Sequence, residues 1–171
     1  MKGPGHDRLR ECLVQLRLPA FRENYGAHAA LATRESLAYP QYLLGLCELE
    51  VEERSRRRVQ KLLRESKLPR EKTLENLDRA RLPQSVDRQL AALLDGTFLD
   101  RADNVLVFGN PGSGKTHLAC ALARQLVEQG RRVLFSSCAL VVQKLLRAKA
   151  ELTLEKELKR LDRFEGVIID D

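Results

Sequence analysis

The sequence has no tryptophan and few other aromatic residues, with five phenylalanines and three tyrosines among 171 residues. Its four cysteines form no CxxC pair and its three histidines are isolated, so the sequence predicts neither a zinc site nor a disulfide framework. We expect the cysteines to be small, buried hydrophobic residues. No stretch approaches the roughly 18 apolar residues that a membrane span requires.

The first ten residues carry charges and glycines but lack the apolar core of a secretory signal. With 43% hydrophobic and 32% charged residues, the composition is typical of a soluble, helix-rich protein. We therefore expect a cytoplasmic protein that has no membrane partner. Its length suffices for one domain of ordinary size and a smaller appendage.

Positive charge is concentrated between Val51 and Lys72, where nine basic residues face only four acidic ones. This surplus accounts for most of the formal net charge of +6. A basic helical face attracts the phosphate backbone of a nucleic acid, but it is also common on helices that face only solvent. The residues alone leave both interpretations open.

Helical patterns dominate the first hundred residues. A first helix, with leucines at three-to-four spacing, is predicted to end at Pro19, and a longer one is predicted to open at Pro40 and run toward Ser66. The polar, proline-punctuated stretch 67–83 is predicted to be a connector. A third helix is predicted over Gln84–Asp95, with Gly96 as its C-terminal cap.

An alternation of strands and helices is predicted after residue 103. A buried parallel strand is expected at Asn104–Phe108, a helix at Lys115–Gln129, a second strand at Arg132–Ser136, a helical stretch at Cys138–Arg163 and a third strand at Gly166–Ile169. This order predicts an α/β fold in which crossover helices connect the strands of a parallel sheet.

The segment between the first strand and its helix matches GxxxxGK[ST], the phosphate loop of nucleotide-binding proteins. Its glycines allow backbone amides to curl around phosphates at the positive end of a helix, the lysine can reach the terminal phosphates, and the threonine hydroxyl can ligate magnesium. We predict that it binds ATP with Mg²⁺. The predicted nucleotide-binding residues are Gly109, Asn110, Pro111, Gly112, Ser113, Gly114, Lys115, Thr116 and the adjacent His117.

Two carboxylates, Asp170 and Asp171, follow the third predicted strand. Ligands of parallel sheets collect at the carboxyl ends of the strands, and buried carboxylates need a cation or water nearby. We predict that Asp170 holds the magnesium with Thr116. The predicted catalytic residues are Asp171 and Lys115. Asp171 is expected to act as a base on the attacking water.

Taken together, these residues resemble the AAA+ ATPases of the IstB and DnaC kind, and IstB-like helpers of insertion-sequence transposition most of all. The similarity is carried by LRLPAFREN, YLLGLCELEVEERSRRRVQKLLRESKLPREKTLENLD, LLDGTFLDRADNVLVFGNPGSGKTHLACALA and GRRVLFSSCALV. The basic helix followed by KLPREKTLENLD favours IstB.

The resemblance implies a P-loop ATPase that binds duplex DNA, engages a transposase and forms homo-oligomers at full length. Gly109–Thr116 match Walker A, and Asp170 with Asp171 match Walker B. The arginine cluster becomes a predicted DNA surface, with Lys144, Arg147 and Lys149 as weaker candidates. The predicted DNA contacts are Arg54, Arg56, Arg57, Arg58, Lys61 and Arg64.

The resemblance implies a helical domain with the basic helix at 1–68, a linker at 69–83, and the first part of an AAA+ domain at 84–171. Family members continue past Walker B through a sensor residue, an arginine finger and a second sensor, and a fourth strand lies between their first and third strands. We therefore expect a truncated product with an incomplete sheet that leaves edges open or pairs its strands wrongly, and its ATP hydrolysis stays an open question. A helicase loader of the DnaC kind is the alternative function.

Overall fold

The computed structural model describes residues 4–171, which form two compact units that divide between Arg58 and Val59. The first unit contains α1 (Pro4–Gln15), α2 (Pro19–Arg34) and most of α3 (Tyr39–Ser66). None of the helices described for these residues is both long and apolar enough to cross a bilayer.

Pro19 is the first residue of α2, whereas the sequence predicted only a helix end at this position. A proline fits the first turn of a helix because its missing N–H would have no partner there. α1 has already ended at Gln15. Pro40 lies in the first turn of α3, as predicted, and that helix ends at the predicted Ser66.

The first unit has a small core of Leu13, Ala20 and Leu46 around the carboxylate of Glu50, which is only 3% exposed. The backbone N–H of Ala20 in the first turn of α2 donates to Oε2 of Glu50 at 2.9 Å, and Arg54 Nε donates to Oε1 at 3.0 Å. A buried charge is tolerated because hydrogen bonds and a counter-charge meet it. Glu50 therefore ties α3 to the start of α2.

The second unit combines helices with a two-stranded sheet. Its elements after α3 are a 3₁₀ turn (Arg79–Arg81), α4 (Gln84–Leu93), α5 (Thr97–Asp100), α6 (Lys115–Glu128), β1 (Val133–Ser137), α7 (Cys138–Ala150), α8 (Leu154–Leu161) and β2 (Gly166–Asp170). The predicted helical stretch after β1 is thus two helices, separated by Leu152 in a left-handed conformation with φ 55°.

The two strands are parallel and adjacent, with Val133 opposite Gly166 and Ser137 opposite Asp170. Two of the three predicted strands are thereby observed. Both end on the same edge of the sheet, close to the N-terminus of α7, which Ser137 caps with its side chain.

The predicted strand at Asn104–Phe108 is wrong for this chain. Residues 104–108 have no strand pairing and are all exposed, and Phe108 reaches 85% exposure. A strand requires a hydrogen-bonded neighbour, and the part of the chain that the structure describes supplies none beside this segment. β2 is also less buried than predicted, since Ile169 is 60% exposed.

The core of the second unit lies between α6, β1 and the segments that precede them. Its buried members are Leu62, Leu90, Phe98, Leu122, Ala123, Leu126, Val127 and Val133. Four leucines of the 67–83 segment pack against this core: Leu68, Leu74, Leu77 and Leu82. The polar connector predicted from the sequence is therefore held in place by its apolar residues.

The cysteine prediction is correct for only one residue. Cys120 is buried in α6, Cys12 is half-buried, and Cys47 and Cys138 are exposed. A cysteine on a helix lies inside only when its face of that helix is covered, and spacing between cysteines carries no information on that point.

Candidate functional site

The 109–116 segment forms a turn that leads directly into α6. The backbone N–H of Ser113 donates to the carbonyl of Asn110 at 3.2 Å, and Gly114 stands at the N-cap of α6 with φ 91°. That backbone angle is left-handed and favours glycine. At Gly109 a Cβ would lie 2.8 Å from Oγ of Ser113, so the Ser113 side chain would have to move to admit a larger residue there.

Lys115, the first residue of α6, folds back over this turn. Its ammonium donates to the carbonyl of Gly109 at 3.0 Å and to the carbonyl of Asn110 at 3.1 Å. The positive charge therefore lies at the same end of α6 as the free N–H groups of the first helical turn, where an anion is stabilised.

Thr116 and Asp170 are brought together from the start of α6 and the end of β2. The Thr116 hydroxyl donates to Oδ1 of Asp170 at 2.9 Å, across 54 positions of the sequence, in a partly buried environment. This contact places a strand-end carboxylate beside the phosphate loop, as the sequence predicted. Asp171, the second acidic residue of the pair, is exposed, and its side chain makes no hydrogen bond with the residues described.

His117 is turned toward the connecting segment. Its Nε2 lies 3.0 Å from the carbonyl of Thr73 and the ring is partly buried. Two turns further along α6, Arg124 donates to the carbonyl of Arg70 at 3.4 Å. The 67–83 segment is thus attached along α6, starting from the residue next to Thr116, and no pattern in the sequence indicated this attachment.

Cys120 lies one helical turn after Thr116 and is completely buried. Burial raises the pKa of its thiol to about 11, and the negative charges of Asp170 and Glu71 also raise it, while Lys72 lowers it. These charges come from β2 and from the connecting segment. The hydrogen bonds of Thr116 to Asp170 and of His117 to the Thr73 carbonyl bring the same two elements to the start of α6.

The predicted DNA contacts all lie on α3 and are all exposed, but their side chains differ in what they bind. Arg54 bonds to Glu50 and to the carbonyl of Arg17, so it has a structural task. Arg56 and Arg57 both pair with Glu53, which lowers the pKa of that carboxyl group, with the Arg56 hydrogen bond as the largest cause.

The remaining three basic residues of the cluster are less engaged. Lys61 lies 3.8 Å from Glu65, and within residues 4–171 Arg58 and Arg64 form no ion pair. Arg57, Lys61 and Arg64 follow i, i+4, i+7 spacing and therefore share one face of α3. Glu50, which fixes Arg54, was missed by the sequence analysis because a glutamate in a charged stretch carries no sign that it is buried.

Comparison with known proteins identifies the family. The family model for IstB-like ATP binding proteins matches residues 11–171. A protein of Sinorhizobium fredii named as an insertion-sequence ATP-binding protein is 39% identical over 96% of this chain and 55% of its own length. The insertion sequence IS5376 ATP-binding protein of Geobacillus stearothermophilus is 34% identical over 96% of this chain and 66% of its own length.

A third relative, the insertion sequence IS21 ATP-binding protein of Pseudomonas aeruginosa, is 36% identical over 82% of this chain and 53% of its own length. The chain thus spans between about half and two thirds of the length of these curated relatives. Because the family model covers nearly the whole sequence, this chain belongs to the IstB-like ATP-binding protein family.

Proposed function

We propose that this chain binds ATP with magnesium at the phosphate loop and takes part in the transposition of an insertion sequence. The observation that supports the nucleotide site most directly is the 2.9 Å hydrogen bond between Thr116 and Asp170. It joins the phosphate loop to a strand-end carboxylate that lies far away in the sequence.

The phosphate loop suits a triphosphate in its charge and in its donors. The N–H groups at the start of α6 and the Lys115 ammonium are positive donors at one place. In our proposal Lys115 exchanges its bonds to the carbonyls of Gly109 and Asn110 for bonds to phosphate oxygens. The backbone of 109–114 holds the remaining phosphate oxygens.

The chemistry of the donors at Thr116 and Asp170 fits magnesium. A hydroxyl and a carboxylate are oxygen ligands, which magnesium prefers, and it usually takes few protein ligands beside water and phosphate oxygens. When bound, the ion neutralises part of the triphosphate charge.

Hydrolysis is a separate proposal, because the relatives are longer than this chain. Asp171 would accept a proton from the attacking water, as its carboxylate is exposed and directly follows Asp170. Lys115 would stabilise the charge on the transferred phosphate.

For transposition we propose that α3 contacts the backbone of duplex DNA through its basic residues, and that the protein engages a transposase and assembles with further copies of itself in the cytoplasm. The names of the relatives place those proteins in insertion sequences. The exposed side chains of Arg58 and Arg64 support the DNA contact because no carboxylate competes for them within the described residues. Their charge would displace counterions from the DNA.

The nucleotide proposal is tested by calorimetric titration of ATP with magnesium into Lys115→Ala. Loss of a charge-assisted bond removes about 1.5–3 kcal/mol, so affinity should fall on the order of tenfold or more. Lys159→Ala is the control, since this exposed lysine of α8 pairs with Glu155 and with no other carboxylate of the described residues. An unchanged ATP affinity of Lys115→Ala would remove the phosphate loop from the proposal.

A second candidate function is that of a helicase loader of the DnaC kind. It is favoured by the apolar residues exposed on and just after α1, which are Leu9, Val14 and Leu16. A loader would bind its helicase through such a surface, whereas a transposition helper would bind duplex DNA with steep salt dependence. Binding to a helicase without salt-dependent binding to duplex DNA would favour the loader.

A further inference from the structure

A small pocket lies beside β1, between this strand and the helices α7 and α8. β1 contributes Phe135 and Ser136 to its lining, α7 contributes Lys144, and α8 contributes Glu157 and Arg160. Lys67, directly after the end of α3, completes it. Three cationic side chains from three different elements therefore converge on one place.

The positive charge there is poorly compensated. Among residues 4–171, Glu157 is the only carboxylate that lines the pocket, and it already accepts hydrogen bonds from the guanidinium of Arg160 at 2.6 and 3.0 Å. No other described carboxylate forms an ion pair with Lys67 or Lys144. Like charges held close together destabilise each other unless an anion lies between them.

The pKa of Lys144 agrees with this excess of positive charge. Its pKa is lowered by burial first and then by the charges of Lys67 and Arg160, and only Glu157 acts in the opposite direction. An anion bound beside Lys144 would favour its charged form.

We propose that Lys67, Lys144 and Arg160 form a binding site for a phosphate group at the mouth of this pocket. The free volume of the pocket is about 10 Å³, which is roughly what one water molecule needs. An oxygen of a phosphate can enter this space, but a base or a sugar cannot. Lysine ammonium groups bind phosphate as point charges, and Ser136 lines the same pocket.

The phosphate comes from one of two sources, the backbone of duplex DNA or free inorganic phosphate. The site is independent of the phosphate loop, because no residue of 109–116 lines it. A failure of ATP binding would therefore leave this proposal unaffected.

The first experiment titrates inorganic phosphate into the labelled protein and follows backbone amide resonances by NMR. Saturable changes in chemical shift are expected at the backbone amides of Ser136, Lys144 and Arg160. These changes are separate from any that phosphate causes at residues 113–116. The variant Lys67→Gln with Lys144→Gln should weaken phosphate binding at least fivefold at these resonances. Lys159→Gln, at an exposed lysine of α8 that does not line the pocket, should leave it unchanged.

The second experiment identifies the source by measuring the affinity for a 20-base-pair duplex over a salt series. If DNA is the ligand, the double variant should reduce the slope of log affinity against log salt by about 0.9 for each DNA phosphate that it no longer neutralises. If free phosphate is the ligand, the slope stays the same while the phosphate-induced shifts disappear.

Shifts confined to 113–116, or equal phosphate affinity in wild type and double variant, would overturn the site. Thermal unfolding of the variants checks their fold, and Lys144→Gln alone replaces the double variant if that unfolds.

Discussion

The Thr116 hydroxyl and Oδ1 of Asp170 are 2.9 Å apart, and this single bond joins the start of α6 to the end of β2. Each residue contributes one oxygen atom to this contact. If magnesium binds there with ATP, the carboxylate contributes its charge and the hydroxyl contributes only a lone pair. The two oxygens should therefore differ in how much they matter.

Asp170→Asn tests this difference. The amide keeps the shape and an acceptor oxygen but removes the charge, so the gain in ATP affinity that magnesium gives should fall on the order of tenfold or more. Calorimetry with ATP, with and without magnesium, measures it. Asp162→Asn at the end of α8 is the control. If magnesium raises the ATP affinity of Asp170→Asn as much as it raises that of the wild type, Asp170 is excluded as a metal ligand.

The basic residues of α3 allow a second test, because their partners differ. Arg58 and Arg64 form no ion pair within residues 4–171, whereas Arg56 and Arg57 share Glu53. An arginine that must break an ion pair in order to bind DNA loses part of the favourable free energy of the DNA contact. Arg58→Gln with Arg64→Gln should thus reduce the salt slope of DNA binding by about 1.8, the value for two phosphate contacts.

The same measurement on Arg56→Gln with Arg57→Gln is the matched comparison, and we expect a smaller reduction there. Fluorescence anisotropy of a labelled duplex over a range of salt concentrations gives both slopes. If neither pair changes the slope, α3 is a solvent-facing helix and does not bind DNA.

How far the sequence predicts this molecule depends on whether the signal is local. α6 was predicted within one residue, because Gly114 and Gly130 mark its two ends by their left-handed backbone. β1 and β2 were predicted within one residue because apolar runs bounded by polar residues are local patterns. The GxxxxGK[ST] pattern was recognised from its own eight residues alone, and nucleotide binding by those residues stays a prediction.

What the sequence did not predict depends on contacts with distant residues. The run at 104–108 is as apolar as a buried strand, but strand formation depends on a neighbour, which no local pattern shows. The contact between His117 and the Thr73 carbonyl joins positions 44 apart. Glu50 and Arg54 look like ordinary members of a charged helix until their partners in α2 and at Arg17 are known.

Glu50 offers a test of stability. Glu50→Ala removes the acceptor of the Ala20 N–H and the partner of Arg54, so the free energy of unfolding should fall by about 1–3 kcal/mol. Urea denaturation followed by circular dichroism measures this change. Glu48→Ala, an exposed position on the same helix, should change it by less than about 0.5 kcal/mol. Equal effects of the two substitutions would mean that Glu50 does not tie α3 to α2.

Cysteine reactivity tests the packing of α6 under the phosphate loop. The pKa of Cys120 is raised to about 11, so at pH 8 only about one thiol in a thousand is the reactive thiolate. Burial raises the pKa of an acid because it disfavours the charged form, so the thiolate becomes populated only as the pH rises toward 11. Cys47 and Cys138 are exposed, and we expect iodoacetamide at pH 8 to modify them while Cys120 stays unmodified. Mass spectrometry of the digested protein identifies the modified positions. Alkylation of Cys120 at the rate of Cys47 would show that the first turns of α6 open to solvent, and the geometry of Thr116 and Asp170 would then not persist in solution.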